Sequence, residues 1–262
     1  MDLFVIIGRC EISISFGSFA HIETDLFING QTLYNMKEFL KEELSGWKKW
    51  EICWLLIATI SISIINIILE HDIISLIAAL TGIICIILAG KGKLSTYIFA
   101  IIHIITYALI LYNSKYYGLL MLNILYYLPM QFYGFYEWGK NMNPDTHEVY
   151  KKKMSLRNTV ILLISVFVLT VLYGLFLQFL NGNLPFVDAL STVVAIIALY
   201  ISIKMYTEQW LLWIIVNIVT VIMWIYALNN GNGSVVILIM TLIYLINSII
   251  MYFKWKNESD NI

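Results

Sequence analysis

The chain has 262 residues, 60% hydrophobic and only 13% charged, with mean hydropathy +0.82 and a formal net charge of −1. A soluble domain of this size has too little polar surface to cover so much apolar material, so the chain reads as an all-α integral membrane protein. The near-zero charge points away from nucleic acid as a partner. Scattered cysteines (Cys10, Cys53, Cys85) read as apolar fillers, and four histidines without ligand spacing suggest no metal site; no cofactor is expected.

Residues 1–46 read as a cytoplasmic segment. They have no basic region before an apolar run, so they do not resemble a signal peptide. Residues 1–35 carry no assignable function and read as dispensable, or as an over-extended start of the reading frame. Met36-Lys37-Glu38-Phe39-Leu40-Lys41-Glu42-Glu43 has the pattern of a short amphipathic helix lying on the inner face.

Eight apolar stretches follow, at 50–70, 74–91, 94–113, 118–138, 157–180, 188–206, 208–228 and 234–254, most of them near the length needed to cross the hydrocarbon core. Short polar joints separate them, with His71-Asp72 facing water in the first. The longer joint, 139–156, reads as a solvated cytoplasmic loop that splits the chain. With the N-terminal segment inside, fifteen of the sixteen Lys and Arg residues fall on the cytoplasmic side and Lys115 alone outside. Eight spans with both termini cytoplasmic preserve that asymmetry.

Residues 74–138 and 188–256 look like two copies of one three-helix bundle. An offset of 114 sets Lys93 on Thr207, Phe99 on Trp213 and His103 on Asn217, and an offset of 117 sets Tyr127 on Tyr244 and Trp138 on Trp255. One odd span, 157–180, joins them as a linker helix with almost no polar groups. The two copies therefore run parallel, as a 3+1+3 core in the manner of the sugar-transporting SWEET proteins, with 47–70 as an additional N-terminal helix. Such a core places its substrate near the midplane, between the bundles.

Polar groups inside the spans are the candidate site. Trp210-Leu-Leu-Trp213-Ile-Ile-Val-Asn217 puts two indoles and a carboxamide on one helix face. In hydrocarbon the carboxamide needs a partner, either a neighbouring helix or a ligand. The tryptophans read as interface anchors or as stacking groups. Asn123, Tyr127 and Gln131, with Gly134, form a stripe kinked by Pro129, and Tyr244, Asn247 and Ser248 form a second. Each stripe is either pathway wall or helix–helix glue. His103 reads as a neutral cavity group, as packing, or as a proton carrier. Acidic residues sit only at span ends, such as Glu70, Asp188 (an N-cap) and Glu208, which favours uncoupled, passive movement.

The chain resembles the Pnu family of vitamin transporters over roughly 37–257. The features that carry this are the WxxWxxxN pattern at Trp210, Trp213 and Asn217, the Phe132-Tyr133-Gly134-Phe135-Tyr136-Glu137-Trp138 close of the fourth span, and Ser45-Gly46-Trp47-Lys48-Lys49-Trp50 before the first. The resemblance implies a bacterial inner-membrane protein and a homotrimer. It also implies facilitated diffusion of nicotinamide riboside, trapped afterwards by a cytosolic riboside kinase. Thiamine or riboflavin are alternative cargoes, and a non-transporting sensor or scaffold is a further alternative. No HExxH, GxSxG or paired intramembrane aspartates suggest an enzyme.

Overall fold

The computed structural model describes residues 3–4, 13–14, 36–69, 71–114, 116–179, 185–231 and 233–260. They form two units, residues 1–44 and 45–262. The first contains a short antiparallel pair, β1 (Leu3–Phe4) with β2 (Ser13–Ile14), and helix α1 (Met36–Glu43), where the amphipathic pattern placed one. Most of 1–35 lies outside the described residues, as do Lys115 and the side chain of Asp188.

The second unit is all-helical: α2 (Lys49–Leu69), α3 (Ile73–Lys91), α4 (Thr96–Asn113), α5 (Tyr117–Leu122), α6 (Leu128–Gly139), α7 (Leu156–Phe179), α8 (Pro185–Ile203), α9 (Gln209–Asn229) and α10 (Val235–Ser259). Six of these, α2, α3, α4, α7, α9 and α10, are long and apolar enough to cross a membrane. The chain is helical at the other two expected positions as well. There, α8 contributes a shorter apolar run, Ala189–Ile203, while α5 and α6 form one rod interrupted by a π-helical turn, Asn123–Tyr127.

That turn has a local cause. Pro129 has no amide hydrogen for the carbonyl one turn back, and its ring would press on that carbonyl. Widening the preceding turn, with Leu128 N–H donating to Asn123 O, accommodates it. Two helix starts and one helix end follow ordinary capping. Asp72 starts α3 by accepting from Ser75 N–H at 2.8 Å, and Ser234 starts α10 by accepting from Ile237 N–H at 3.1 Å. Gly92, at φ 86°, closes α3.

Packing follows a swapped pattern. Neighbours in sequence pack together (α3 on α4, α9 on α10), and α3 also packs on α10 as α6 does on α8. Two indoles mark these crossings. Trp138 Nε1 donates to Ser202 O at 3.2 Å, and Trp255 Nε1 donates to Gly90 O at 2.8 Å. α7 leans on α8 and buries only Gly174, where the Phe186 ring would collide with any side chain.

The 139–156 joint departs from the solvated loop expected. Val149 N–H donates to Gly92 O and Lys152 N–H to Met205 O, both at 2.9 Å, so the segment straps together the turns after α3 and α8. Met205, at φ 65°, occupies the same left-handed conformation as Gly92. Beside the strap lies an ionic cluster. Lys91 contacts Glu51 at 3.0 Å and Glu148 at 2.8 Å, Lys254 contacts Glu51 at 2.7 Å, and Lys151 contacts Glu148 and Glu258. Val149 and Lys151 are buried there, whereas Lys152 and Lys153 are exposed.

Candidate functional site: a neutral aromatic cavity

Between these helices lies a cavity of about 240 Å³, with walls from α3 to α6 on one side and α8 to α10 on the other. Eight of the nine singled-out residues line it: His103, Asn123, Tyr127, Gln131, Trp210, Trp213, Asn217 and Tyr244. Asn247 does not. Its carboxamide accepts from Trp54 Nε1 at 3.1 Å and donates to Ile86 O at 3.2 Å, tying α10 to α2 and α3, with 0% of the residue exposed. Cys85, read from the sequence as filler, lines the cavity with its thiol 3.4 Å from Thr96 Oγ1.

Several wall positions lie a common interval apart in sequence. Tyr97 and Trp210, Ile104 and Asn217, Tyr107 and Thr220, and on α3 and α8 Gly82 and Ala195, are each 113 residues apart. Tyr127, in the π-helical turn, and Tyr244, on α10, are 117 apart. The offset of 114 expected for α4 and α9 sets His103 on Asn217, and both of these line the cavity.

Hydrogen bonds orient the amides. Asn123 donates to Leu119 O at 2.8 Å and Gln131 to Tyr127 O at 2.9 Å. A backbone carbonyl only accepts, so the amide nitrogens must point there. Asn217 donates to Ser248 Oγ at 3.1 Å, and Ser248 in turn spends its proton on Tyr244 O at 2.8 Å. All three amide oxygens are left as acceptors without a protein partner among the described residues. Gln209, Trp210 and Tyr244 also line the cavity, and Gln209 Nε2, Trp210 Nε1 and the Tyr244 hydroxyl are buried without a protein partner. Buried polar groups are normally paired, so such a concentration of unpaired ones makes this cavity the candidate site.

The wall is aromatic and uncharged. Tyr107 stacks on His103 with centroids 5.3 Å apart and planes at 14°. Trp210 meets Trp255 edge-on at 5.7 Å, and Tyr97 meets Trp138 at 5.2 Å, closing the end nearest the strap. Among the described lining residues there is no Asp, Glu, Lys or Arg. Two glycines make room. A side-chain carbon on Gly82 would lie 1.8 Å from the Tyr244 hydroxyl, and one on Gly134 would lie 2.3 Å from the Tyr97 ring.

Sequence reading missed Gln209, Tyr97 and Glu51. Gln209 stands just before the tryptophan motif, at the start of the stretch 208–228, where it drew no attention as a single polar residue. Tyr97 reads as one aromatic among many. Glu51, at the start of α2, is only 1% exposed and holds two lysines, which pattern alone does not reveal.

The chain has known relatives. A family model described as nicotinamide mononucleotide transporter matches residues 72–257. The chain is 37% identical over 220 residues to the nicotinamide riboside transporter PnuC of Neisseria mucosa, covering 82% of this chain and 84% of that one. It is 33% identical over 219 residues to PnuC of Haemophilus influenzae, covering 82% and 94%. A crystal structure of a vitamin B3 transporter, PnuC, superposes with a TM-score of 0.78 at 36% identity, over 85% of this chain and 97% of that one. The apolar helices and these relatives together make this a multi-pass membrane protein, and the chain belongs to the nicotinamide mononucleotide transporter family.

Proposed function

We propose that the protein carries nicotinamide riboside across the bacterial inner membrane by facilitated diffusion, and that a cytosolic kinase traps it by phosphorylation. The observation that carries this reading is the cavity: aromatic, uncharged, and edged with unpaired hydrogen-bonding groups. Nicotinamide riboside is a flat ring with a fixed positive charge and a sugar rich in hydroxyl donors. A pyridinium against an indole or phenol face gains about 0.5–2 kcal/mol, depending on desolvation. The free amide oxygens of Asn123, Gln131 and Asn217 suit ribose hydroxyls, and Trp210, Trp213, Tyr127, Tyr244 and His103 complete the site.

The family description speaks of the mononucleotide, whereas the names of the relatives speak of the riboside. The wall favours the riboside. A phosphate brings about two negative charges and calls for Arg or Lys, and the described lining residues include neither.

In this reading eight helices span the membrane with both termini cytoplasmic. The core is two parallel three-helix copies, 74–138 and 188–256, with 157–180 as linker and 47–70 as an extra helix. The paired wall positions and the mirrored Trp138 and Trp255 bonds support it. The copies rock about the cavity and expose it to each side in turn, and three chains assemble as a homotrimer.

The test is calorimetric binding of nicotinamide riboside, thiamine and riboflavin to the purified protein, beside Asn217→Ala. Binding of nicotinamide riboside alone, weakened in the variant, is the expected result. Preference for thiamine, another cationic aromatic compound, or for riboflavin keeps the cavity and changes the cargo. Binding without transport in vesicles makes the protein a sensor.

A further inference from the structure

One corner of the cavity is more specific than the rest. His103 Nδ1 lies 2.8 Å from Ala78 O. A carbonyl oxygen has no proton to give, so Nδ1 carries it. The bond exists because Gly82, one turn along the same helix, has no side chain. A carbon there would sit 2.7 Å from His103 Nδ1 and 1.8 Å from the Tyr244 hydroxyl, so the two side chains converge over this glycine. Tyr107 stacks on the imidazole, and Tyr244 meets its edge at 6.2 Å and 63°. The ring is thus held by its Nδ1 bond and by its aromatic neighbours.

No carboxylate among the described lining residues offers an imidazolium a partner. An uncharged imidazole with its proton on Nδ1 keeps its lone pair on Nε2, which has no protein partner among the described residues. The Tyr244 hydroxyl has none either and is free to donate. The corner therefore offers one fixed acceptor and one donor on two side chains that converge over Gly82.

We infer that His103 and Tyr244 together read a carboxamide, the tyrosine donating to its oxygen and the histidine accepting from its NH2, so that the protein selects amide-bearing over acid-bearing pyridine ribosides. This inference rests on the functional reading above. A carboxylate satisfies Tyr244 but sets a negative oxygen against the Nε2 lone pair. No Lys or Arg among the described lining residues offsets that charge. A site built to accept a hydrogen bond rejects the analogue that lacks the donor.

The experiment is displacement binding on the purified full chain with three probes. These are nicotinamide riboside, nicotinic acid riboside, and 3-acetylpyridine riboside, in which a methyl replaces the NH2. The unmodified protein should prefer the amide over the ketone by about tenfold or more, and bind the acid weakest. His103→Asn keeps an amide N–H for Ala78 O and removes the Nε2 acceptor. It should weaken the amide by about tenfold and leave the ketone within about twofold. Unchanged ketone binding also reports an intact fold. Tyr244→Phe should weaken amide and ketone alike, since both probes share the carbonyl. The inference is overturned if His103→Asn retains the preference, or if the unmodified protein binds acid and amide equally. Should it bind none of the three, the functional reading falls as well, a result distinct from binding without discrimination.

Discussion

Among the described residues, two groups of polar side chains are treated in opposite ways. In the ionic cluster beside the strap, Glu51, Lys91, Glu148, Lys151, Lys254 and Glu258 are all charged, and each has an opposite charge within reach. Among the described residues that line the cavity none is Asp, Glu, Lys or Arg, and several hydrogen-bonding groups have no protein partner. Saturated polarity holds helix ends together, and unsatisfied polarity waits for something else. The same distinction separates Asn217 from Asn247. Both are buried carboxamides, but Asn247 uses its oxygen and its nitrogen on the protein, whereas Asn217 uses only its nitrogen.

The comparison is broken most forcefully in the cluster. Glu51→Ala leaves Lys91 and Lys254 short of a buried partner, so the protein should lose about 3 kcal/mol of stability, read as a lowered unfolding midpoint in detergent. Riboside affinity of the folded fraction should be unchanged. Acid probes the same region. Burial alone would raise the Glu148 carboxyl, but Lys151 and Lys91 outweigh it and hold the group below its ordinary value of 4.5. Its contribution to stability is then complete above that value and declines as pH falls through the lower folded value. A midpoint that climbs on acidification into that range contradicts the assignment.

Trp210→Ala should act in the other place. Losing the indole face should weaken riboside binding by up to about thirtyfold, with Trp210→Phe retaining part of it. Equal affinities across the series would remove the stacking role. Asn217→Ala and Asn247→Ala sharpen the contrast between two similar residues. The first should reduce affinity about tenfold with a small change in stability, and the second should cost about 1–3 kcal/mol of stability with affinity intact. Identical behaviour of the two would erase the distinction. The smallest effect belongs to Lys153, whose pair with Asp260 is open to solvent at 52% and 44% side-chain exposure. Lys153→Ala should leave the unfolding midpoint unchanged within measurement scatter.

How far the sequence carried this picture depends on the residue. Helices stand at every expected stretch, because twenty apolar residues between polar joints leave the backbone few alternatives. The tryptophan motif pointed to the cavity because three large or polar side chains at i, i+3 and i+7 share one face. Rotation about a helix axis explains the error at Asn247. Counting from Tyr244, Ser248 lies one turn on and stays with the cavity, while Asn247 lies some sixty degrees to the side and meets α2 and α3. Apolar helices match nearly as well at an offset of 113 as at 114, so pattern alone leaves the register of the expected repeat open. The π-helical turn before Pro129 is a backbone answer to a local clash, of which sequence shows the cause but not the form.

The measurement closest to the central claim is uptake of labelled nicotinamide riboside into proteoliposomes containing only this protein, with no kinase and no ion gradient. An uncharged cavity working passively predicts that the internal concentration rises to the external one and stops there. It also predicts that nicotinamide mononucleotide neither enters nor competes. Accumulation above the external concentration when a proton gradient is imposed, or entry of the mononucleotide, would contradict the account.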